Sequence, residues 1–313
     1  LSLVSLPDFN LMERKDISDT ELMNKITLGV YELGSVFKTF TIAAALEKGI
    51  ADTDTEFQNL ENKIKCRDKW ISEHDELPKN LNVEQILVRS SNIGAIKIAR
   101  KIGSENYRNF LKSLGLLGKI NFDISEVGTP LPFEWENCAL ETASYGHGIT
   151  TTPLQLARAY AIIGNGGYAI EPTLIKNNNF QFQNKIISQI TSEKINKILS
   201  KVVKQKEGTA NLANISGYDV GGKTGTAKKI NNGEYTQKKL NTFVSLFPIK
   251  NPKYLLLVLM DEPKPAPNLI YSYNGTKISN IRRNDSGWNS AYIAGRIIEK
   301  IGPILATNNL NSF

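Results

Sequence analysis

Histidine and cysteine are scarce in this chain. Among its 313 residues there are two histidines, His74 and His147, and two cysteines, Cys66 and Cys138. Neither a Cys-x-x-Cys nor a His-x-x-x-His spacing occurs, so the sequence predicts no metal site and no cofactor. A Ser-His-Asp triad would need one of the two histidines, and neither stands in a nucleophile-elbow context. The cysteines are compatible with a disulfide in an oxidising compartment, but two buried thiols are the favoured interpretation.

Long apolar runs are also absent. No stretch reaches about 18 consecutive apolar residues, so no part of the chain is predicted to span a bilayer. The chain starts at Leu1 without a signal peptide, as expected for an excised or processed portion of a longer protein. Its 41% hydrophobic and 22% charged residues are ordinary for a soluble globular protein. The net charge of +7 is spread over scattered basic residues, which favours a solvated basic surface over nucleic-acid binding.

The strongest helical signal runs from Val36 to Leu46, where nearly all residues are apolar or small, and Gly49 follows as a stop. A helix that is apolar on every side is a buried one. Ser35 and Lys38 stand one turn apart at its N-terminal end. Serine becomes a nucleophile when a base takes its proton, and lysine is such a base if desolvation lowers its pKa. By itself, S-x-x-K is more often a helix cap followed by a surface lysine, so the catalytic interpretation depends on partners elsewhere in the chain.

The rest of the chain alternates between helical and extended patterns. Helices are predicted over 83–88, 93–102, 104–114, 153–164, 191–203 and 288–301, and strands over 1–6, 167–176, 243–249 and 254–260. Thr152 and Thr191 are the predicted caps of two of these helices. The Pro248–Pro252 connection suits an antiparallel pair between the last two strands. Residues 304–313 are predicted to form a disordered tail.

Two further short patterns follow S-x-x-K in a fixed order. S-x-N occurs at Ser90 and Asn92, between two predicted helices, and K-T-G occurs at 223–225. S-x-N is weak alone, since Ser104 and Ser272 start the same pattern. Ser272 follows K-T-G and breaks the order, and Ser104 is better explained as a helix cap.

This ordered set resembles the serine acyltransferases of the penicillin-binding and serine β-lactamase superfamily. Arg-Ser-Ser-Asn-Ile-Gly, Tyr-Gly-His-Gly-Ile and Gly-Gly-Lys-Thr-Gly-Thr-Ala look like class B penicillin-binding proteins. The opening Leu-Val-Ser-Leu-Pro-Asp-Phe and the Lys-Lys after K-T-G are similar to the septal, FtsI-type transpeptidases. The resemblance implies one transpeptidase domain over 1–313, of α/β class and α+β type, with an antiparallel sheet flanked by helices and an all-helical subregion. No segment of this sequence resembles the family's N-terminal anchor or pedestal domain, and both are expected to lie outside it.

The resemblance also implies catalytic roles. Ser35 would attack the carbonyl of a D-Ala-D-Ala stem peptide with Lys38 as general base. Ser90 would relay a proton to the leaving amine, Asn92 would bind the substrate's amide, and Lys223 would add positive charge. An amine of a neighbouring stem peptide would then resolve the acyl-enzyme, whereas β-lactams would acylate Ser35 and stay.

The resemblance assigns substrate binding to the strand that carries K-T-G. The resemblance implies substrate contacts at Thr224, Gly225 and Thr226, with Thr224, Thr226 and Lys223 holding the terminal carboxylate. The backbone N–H groups of Ser35 and Thr226 would form the oxyanion hole.

The chain departs from the family's pattern at three places. Leu33 and Thr39 stand where the family usually has proline, which suggests a looser turn before Ser35. Ala291-Tyr292 replaces a common Ala-Pro in the final helix, a difference of packing.

The resemblance also implies partners and a location. The implied partners are stem peptides, β-lactams and division-complex proteins that include a glycosyltransferase, with no nucleic acid. The implied location is the periplasmic face of the inner membrane, reached only through the missing anchor.

Several alternatives stay open at this point. A serine β-lactamase or D,D-carboxypeptidase shares the fold, but Ser91 stands where a class A β-lactamase has aspartate, and no counterpart of its hydrolytic glutamate loop is recognisable. A β-lactam sensor or a catalytically idle division scaffold is the alternative outside enzymes. His147 is a candidate site residue, although a structural histidine is the favoured interpretation. The sequence leaves septal and elongation roles, and the acyl acceptor, undecided.

Overall fold

The computed structural model describes residues 2–10, 12–13, 22–176, 184–231, 233–273 and 275–310. The helices are α1 Lys38–Glu47, α2 Val83–Val88, α3 Asn92–Ile102, α4 Ser104–Ser113, α5 Ala139–Ala143, α6 Pro153–Gly164, α7 Gln189–Lys204 and α8 Ser290–Leu310. The strands are β1 Glu56–Phe57, β2 Lys63–Cys66, β3 Lys69–Ser72, β4 Leu81–Asn82, β5 Gly221–Asn231, β6 Glu234–Phe247, β7 Tyr254–Asp261, β8 Tyr271–Tyr273 and β9 Thr276–Ile278. Short 3-10 turns occur at Gly34–Phe37 and Asn211–Ala213.

The largest sheet is antiparallel, with the strand order β5-β6-β7. Lys223 on β5 pairs with Val244 on β6, and Phe243 on β6 pairs with Val258 on β7. The predicted antiparallel pair over 243–249 and 254–260 is therefore confirmed. Helix α7 packs against β5, and α8 packs against β6 and β7. The α+β class expected from the sequence is confirmed by this arrangement.

Helix α1 lies at the centre of the core. Residues 38–45 are all buried, and the helix packs against α3 and α7. Phe37, Phe40 and Ile42 have no exposed surface. Burying one such side chain contributes about 1.5–3 kcal/mol, so this helix is fixed by packing and not by amphipathic pattern. The predicted buried central helix is confirmed, and Gly49 follows its end with a φ of 64°.

The helix caps were predicted with mixed success. Thr152 caps α6 as expected, and its side chain and that of Gln155 form a reciprocal capping box. Helix α7 begins earlier than predicted, because Ser188 accepts the Thr191 N–H and is the true cap. Ser104 is the first residue of α4 and not its cap, since Gly103 occupies that position without a side-chain bond.

Two predicted strands were wrong. Residues 2–6 form no strand, and Leu1 lies outside the described residues. Residues 167–176 form only an isolated bridge between Tyr168 and Lys185. An extended, apolar segment forms a strand only where a neighbouring strand pairs with its backbone N–H and C=O groups. Among the described residues, no strand pairs with either segment.

The C-terminal helix is longer than predicted. Helix α8 continues through Pro303 to Leu310, whereas the sequence predicted an end at Ile301 and a disordered tail over 304–313. Proline removes one backbone hydrogen bond, and packing of Ile298 and Leu305 on the core sustains the helix beyond it. Residues 311–313 lie outside the described residues.

The two cysteines form a disulfide. Cys66 at the end of β2 is bonded to Cys138 before α5, with their Cα atoms 6.0 Å apart. The expectation of two buried thiols was wrong. Nothing local marks the pairing, because 72 residues separate the two positions and only the fold brings them together. Among the described residues, no helix is both long and apolar enough to cross a membrane.

Candidate active site

The candidate nucleophile lies on the 3-10 turn that leads into α1. Ser35 is 9% exposed, and the other residues of the turn are buried around it. Lys38, at the start of α1, is completely buried. The Tyr160 hydroxyl donates to the carbonyl of Val36 at 2.9 Å and is hydrogen-bonded to Thr39 at 2.8 Å. The turn and the start of α1 are therefore anchored from α6.

Ser90 joins the S-x-x-K and K-T-G segments. The Lys38 Nζ donates to the Ser90 carbonyl at 2.5 Å and to the Ser90 Oγ at 3.1 Å. The Lys223 Nζ donates to the same Oγ at 2.9 Å. One hydroxyl thus lies between two buried amines that come from distant parts of the chain.

The backbone at Ser90 has an unusual conformation. Its φ is 61°, a region in which glycine is favoured. The Ser90 N–H donates to Leu87 O and the Ser91 N–H donates to Ile86 O, which is the Schellman pattern that ends a helix. Ser90 therefore occupies the position at which helices usually place glycine. Left-handed backbone in a non-glycine residue costs about 1–3 kcal/mol and is concentrated at functional sites.

Asn92 is the first residue of α3 and is 3% exposed. Its Nδ2 donates to the Ser72 carbonyl at 2.9 Å. Its Oδ1 is buried and has no hydrogen-bond partner among the described residues. An unsatisfied buried acceptor costs about 1–3 kcal/mol, so this oxygen is suited to an incoming N–H donor.

Strand β5 passes directly against the nucleophile turn. A Cβ on Gly225 would lie 2.2 Å from the Leu33 carbonyl oxygen, and one on Gly34 would lie 2.7 Å from the Thr226 carbonyl oxygen. Glycine at both positions permits this backbone approach, and Gly34 also has a φ of 65°. The backbones of Ser35 and Thr226, the predicted oxyanion-hole residues, are brought together in this way.

Two hydroxyl pairs support the K-T-G strand from outside. Thr224 Oγ1 lies 2.7 Å from Thr209 Oγ1. Thr226 Oγ1 donates to Ser286 Oγ at 3.2 Å and accepts from the Ser286 N–H at 3.1 Å. The two threonine hydroxyls are therefore held in place, and that of Thr224 lies 3.5 Å from the Lys223 amine.

Burial sets the electrostatics of the two lysines. Desolvation lowers the pKa of Lys38 to about 7, and the nearby Glu73 carboxylate opposes this shift. Desolvation, followed by repulsion from Lys38, holds the pKa of Lys223 well below its usual range. Lowering of the lysine pKa by desolvation was expected from the sequence. Lys38 is therefore a base near neutral pH, next to a hydroxyl that can relay a proton.

Sequence reasoning missed several residues at this site. Glu73, Thr209 and Ser286 all contact site residues, but each lies in a polar stretch without a motif. His147 lies nearby, since a Cβ on Gly146 would meet the Gly34 carbonyl at 2.1 Å. Its ring stacks between Tyr145 and Tyr235, and its Nδ1 is 3.8 Å from a Glu32 carboxylate oxygen. Among the described residues, no group of three or more His, Cys, Asp or Glu side chains is placed to hold a metal ion.

Residues 1–284 match the penicillin binding protein transpeptidase domain family. A protein from Caulobacter vibrioides named "Probable peptidoglycan D,D-transpeptidase FtsI" is 31% identical, over 97% of this chain and 52% of that protein. A "Peptidoglycan D,D-transpeptidase FtsI" from Buchnera aphidicola subsp. Baizongia pistaciae is 33% identical, over 84% of this chain and 47% of that protein. The chain thus spans about half the length of these two curated relatives.

The fold has close counterparts among solved structures. The transpeptidase domain of Burkholderia pseudomallei penicillin-binding protein 3 aligns with a TM-score of 0.75 and 27% identity, covering 88% of this chain and 82% of that one. A Burkholderia ambifaria structure titled as a peptidoglycan glycosyltransferase aligns with a TM-score of 0.75 and 27% identity, covering 90% and 83%. The fold expected from the resemblance is confirmed.

Proposed function

The chain belongs to the family of penicillin-binding protein transpeptidase domains, and from that premise we propose that it is the catalytic domain of a peptidoglycan D,D-transpeptidase. Its substrates are stem peptides that end in D-Ala-D-Ala, and β-lactams acylate the same serine. The observation that carries the proposal is the convergence of the Lys38 and Lys223 amines on the Ser90 hydroxyl, with Ser35 on the turn that leads directly into Lys38. The names of the FtsI relatives support the same reaction.

Acylation begins with proton transfer from Ser35 to the neutral amine of Lys38. The Ser35 oxygen bonds to the carbonyl carbon of the penultimate D-Ala, and the oxyanion that forms is held by the backbone N–H groups of Ser35 and Thr226. The C–N bond to the terminal D-Ala then breaks. Ser90 passes a proton to the leaving amine and is resupplied from Lys38.

Deacylation reverses these proton movements with a different amine. The acceptor amine attacks the acyl carbonyl and loses a proton through Ser90 to Lys38. The bond to the Ser35 oxygen breaks, and that oxygen is reprotonated. The amide oxygen of Asn92 is buried without a partner among the described residues, and it accepts a hydrogen bond from an amide N–H of the acyl-donor peptide. Lys223, Thr224 and Thr226 bind the terminal carboxylate by charge and hydroxyl donation.

Mass spectrometry after penicillin treatment tests the nucleophile. We expect one penicillin adduct per chain, mapped to Ser35, and none on a Ser35→Ala variant. Turnover of a D-Ala-D-Ala peptide with a D-amino acid as acceptor then tests the transfer. An adduct on another residue, or equal labelling of Ser35→Ala, would overturn the proposal in favour of a binding module with an idle site.

The structure disfavours a class A β-lactamase in one respect. A deacylating carboxylate must be free to activate water, as in class A β-lactamases. Glu73 is the carboxylate that contacts the S-x-N segment, and both its oxygens accept hydrogen bonds from the protein. A stable penicillin adduct supports the transpeptidase, whereas a burst followed by rapid turnover supports the β-lactamase.

The cellular setting belongs to the same proposal. We place the whole protein at the periplasmic face of the inner membrane, anchored by a segment outside this chain and working in septal wall synthesis with a glycosyltransferase partner. The FtsI name of the relatives motivates this assignment. A fluorescent fusion of the whole protein is expected to concentrate at the division site, and a uniform lateral distribution would favour an elongation role.

A further inference from the structure

A short hairpin runs beside the S-x-N segment. It consists of β2 and β3, which pair from Lys63 with Ser72 to Cys66 with Lys69, and it leads directly into Glu73. We refer to residues 63–73 as the strap. The Glu73 N–H donates to the Asn62 carbonyl at 2.9 Å, which closes the strap at its base. The disulfide from Cys66 to Cys138 ties its turn to the helical region.

The Glu73 carboxylate accepts three hydrogen bonds from the start of α3. Its Oε1 accepts from the Ser91 hydroxyl at 2.6 Å and from the Ile93 N–H at 3.0 Å. Its Oε2 accepts from the Asn92 N–H at 2.7 Å. The Ser91 hydroxyl accepts in turn from the Gly94 N–H at 2.9 Å.

These bonds account for the backbone donors that a helix leaves unpaired at its first turn. Glu73 takes two of them, and Ser91 takes the third. A carboxylate at this place is also favoured by the positive end of the helix dipole. Since α3 has 11 residues, the effect applies to a full helix and not to a single turn.

The restrained residues are those that the proposed reaction uses. Asn92 is held twice by the strap, through its N–H to Glu73 and through its Nδ2 to the Ser72 carbonyl. Ser90 precedes the restrained Ser91, and its left-handed backbone is stabilised on the other side by the two hydrogen bonds that end α2. The bonds to Glu73 restrain the segment after Ser90 and so help to hold the Ser90 hydroxyl between Lys38 and Lys223.

We propose that Glu73 is a positioning residue for the acylation of Ser35, because it fixes the first turn of α3 and with it Ser90 and Asn92. The inference rests on the proposed transpeptidase function and assigns Glu73 no contact with substrate. Both Glu73 carboxylate oxygens accept hydrogen bonds from the start of α3. Glu73 therefore acts by positioning the side chains of Ser90 and Asn92.

The Glu73 charge provides a second, independent signature. Three described residues interact electrostatically with Lys38. They are Glu73, the last residue of the strap, His74, which follows it, and Lys223 on β5. Glu73 is the one of these that raises the pKa of Lys38. Removal of its charge therefore lowers that pKa and moves the acidic limb of the acylation rate to lower pH.

The test compares Glu73→Gln and Glu73→Ala with Glu76→Gln. Glu76 is exposed and lines the same cleft as Glu73. Glu76→Gln is therefore the matched control, since it removes a carboxylate from the same cleft. The second-order rate of acylation by a fluorescent penicillin is measured from about pH 5 to 9, and each rate is divided by the fraction of chains that can be acylated. That normalisation removes any effect of unfolded protein.

We expect Glu73→Ala to acylate on the order of tenfold to a hundredfold more slowly per active chain, as for displaced catalytic groups. Glu73→Gln keeps one acceptor oxygen and should recover part of the rate. Both variants should shift the pH midpoint downward, whereas Glu76→Gln should match the unmodified protein. A normal rate and midpoint in Glu73→Ala would overturn the inference.

Hydrogen exchange gives a readout that does not depend on acylation. The Asn92 and Ile93 amides should exchange faster in Glu73→Ala, while amides in the middle of α1 should keep their protection. Unchanged protection at Asn92 and Ile93 would also overturn the inference. If the unmodified protein is not acylated at Ser35, the proposed function fails, and the exchange result still decides whether Glu73 holds α3.

Discussion

The amine of Lys38 reaches Ser90, 52 residues further along the chain, and donates to both its carbonyl and its hydroxyl oxygen. Lys223 approaches the same hydroxyl from β5. In the proposed reaction this contact is the path along which a proton passes, through Ser90, between Lys38 and the leaving or attacking amine. It also makes the unusual backbone of Ser90 part of the site.

The first prediction concerns that backbone. Ser90→Gly should have a free energy of unfolding about 1–3 kcal/mol higher than that of Ser90→Ala, because both variants lack the hydroxyl but only glycine tolerates a φ of 61° without strain. Acylation should fall on the order of a hundredfold or more with loss of the relay hydroxyl. Denaturant unfolding and stopped-flow acylation measure the two effects.

Ser90→Ala is the matched variant. Like Ser90→Gly, it leaves the Lys38 and Lys223 amines without the hydroxyl acceptor, but it keeps the left-handed strain. It should therefore lose as much activity as Ser90→Gly while being clearly less stable. Equal stability of the two variants would show that strain at Ser90 is negligible.

The second prediction is a pH dependence of acylation. Desolvation lowers the pKa of Lys38 to about 7, and only the neutral amine can accept the Ser35 proton. The acylation rate should therefore rise about tenfold per pH unit below that pKa and level off above it. Single-turnover acylation across this range provides the measurement. A rate that does not change through pH 7 would exclude Lys38 as the base.

The third prediction is a pH dependence of stability from the same group. The folded pKa of Lys38 is about 7, below the value of about 10.4 for an unfolded chain. Between these values the unfolded state binds more protons, so the free energy of unfolding should rise with pH. The penalty of burying this amine is fully present below pH 7 and disappears toward pH 10.

Lys38→Met isolates this contribution, because methionine carries no titrating group and has similar length. The free energy of unfolding of the unmodified protein, relative to that of Lys38→Met, should rise from pH 7 to about 10. Because repulsion from Lys38 contributes to the lowered pKa of Lys223, the comparison is made in a Lys223→Met background, where Lys223 does not titrate. A pH-independent difference would contradict a lowered pKa at Lys38.

The fourth prediction tests the close approach of β5 to the nucleophile turn. A Cβ at Gly225 would lie 2.2 Å from the Leu33 carbonyl and 3.3 Å from the Val36 nitrogen, and backbone atoms cannot yield as a flexible side chain does. Gly225→Ala should cost about 1–3 kcal/mol of stability and slow acylation by separating the oxyanion-hole backbones. Gly118→Ala is the control, since a Cβ at that position would meet no atom within 4 Å. It should change stability by no more than about 0.5 kcal/mol.

The fifth prediction concerns the disulfide. Replacement of both Cys66 and Cys138 by serine should lower the free energy of unfolding by about 2–4 kcal/mol, because the bond closes a loop between positions 72 residues apart. Urea unfolding of oxidised protein, reduced protein and the double variant provides the measurement. Reduced protein should match the variant, and equal stability of all three would argue that the bond contributes nothing.

Much of the site was predictable from short sequence patterns. The S-x-x-K, S-x-N and K-T-G segments were identified in order, and the structure brings Lys38, Ser90 and Lys223 into contact. The predicted helix that follows Ser35 is buried on every side. The buried helix and the pairing of Ser35 with Lys38 were predicted from local spacing, which places side chains on one face of a turn. The S-x-N and K-T-G segments were selected because the ordered set resembles the penicillin-binding and serine β-lactamase superfamily.

Other features were not predictable. The strand expected over 167–176 is absent because it needs a partner strand, and α8 passes Pro303 because it packs on the core. The 72-residue separation of the cysteines carried no signal for their bond. Each of these depends on what another part of the chain supplies.

The sequence by itself determined the hydroxyl, the amines, their order and the helix at the centre of the core, because residue identity and helical period are local properties. Tertiary structure alone decided that both amines meet one oxygen in a site dry enough to deprotonate Lys38, and that Glu73 fixes the helix beside them. Burial and contact between distant segments arise from the path of the whole chain, and no local pattern encodes them.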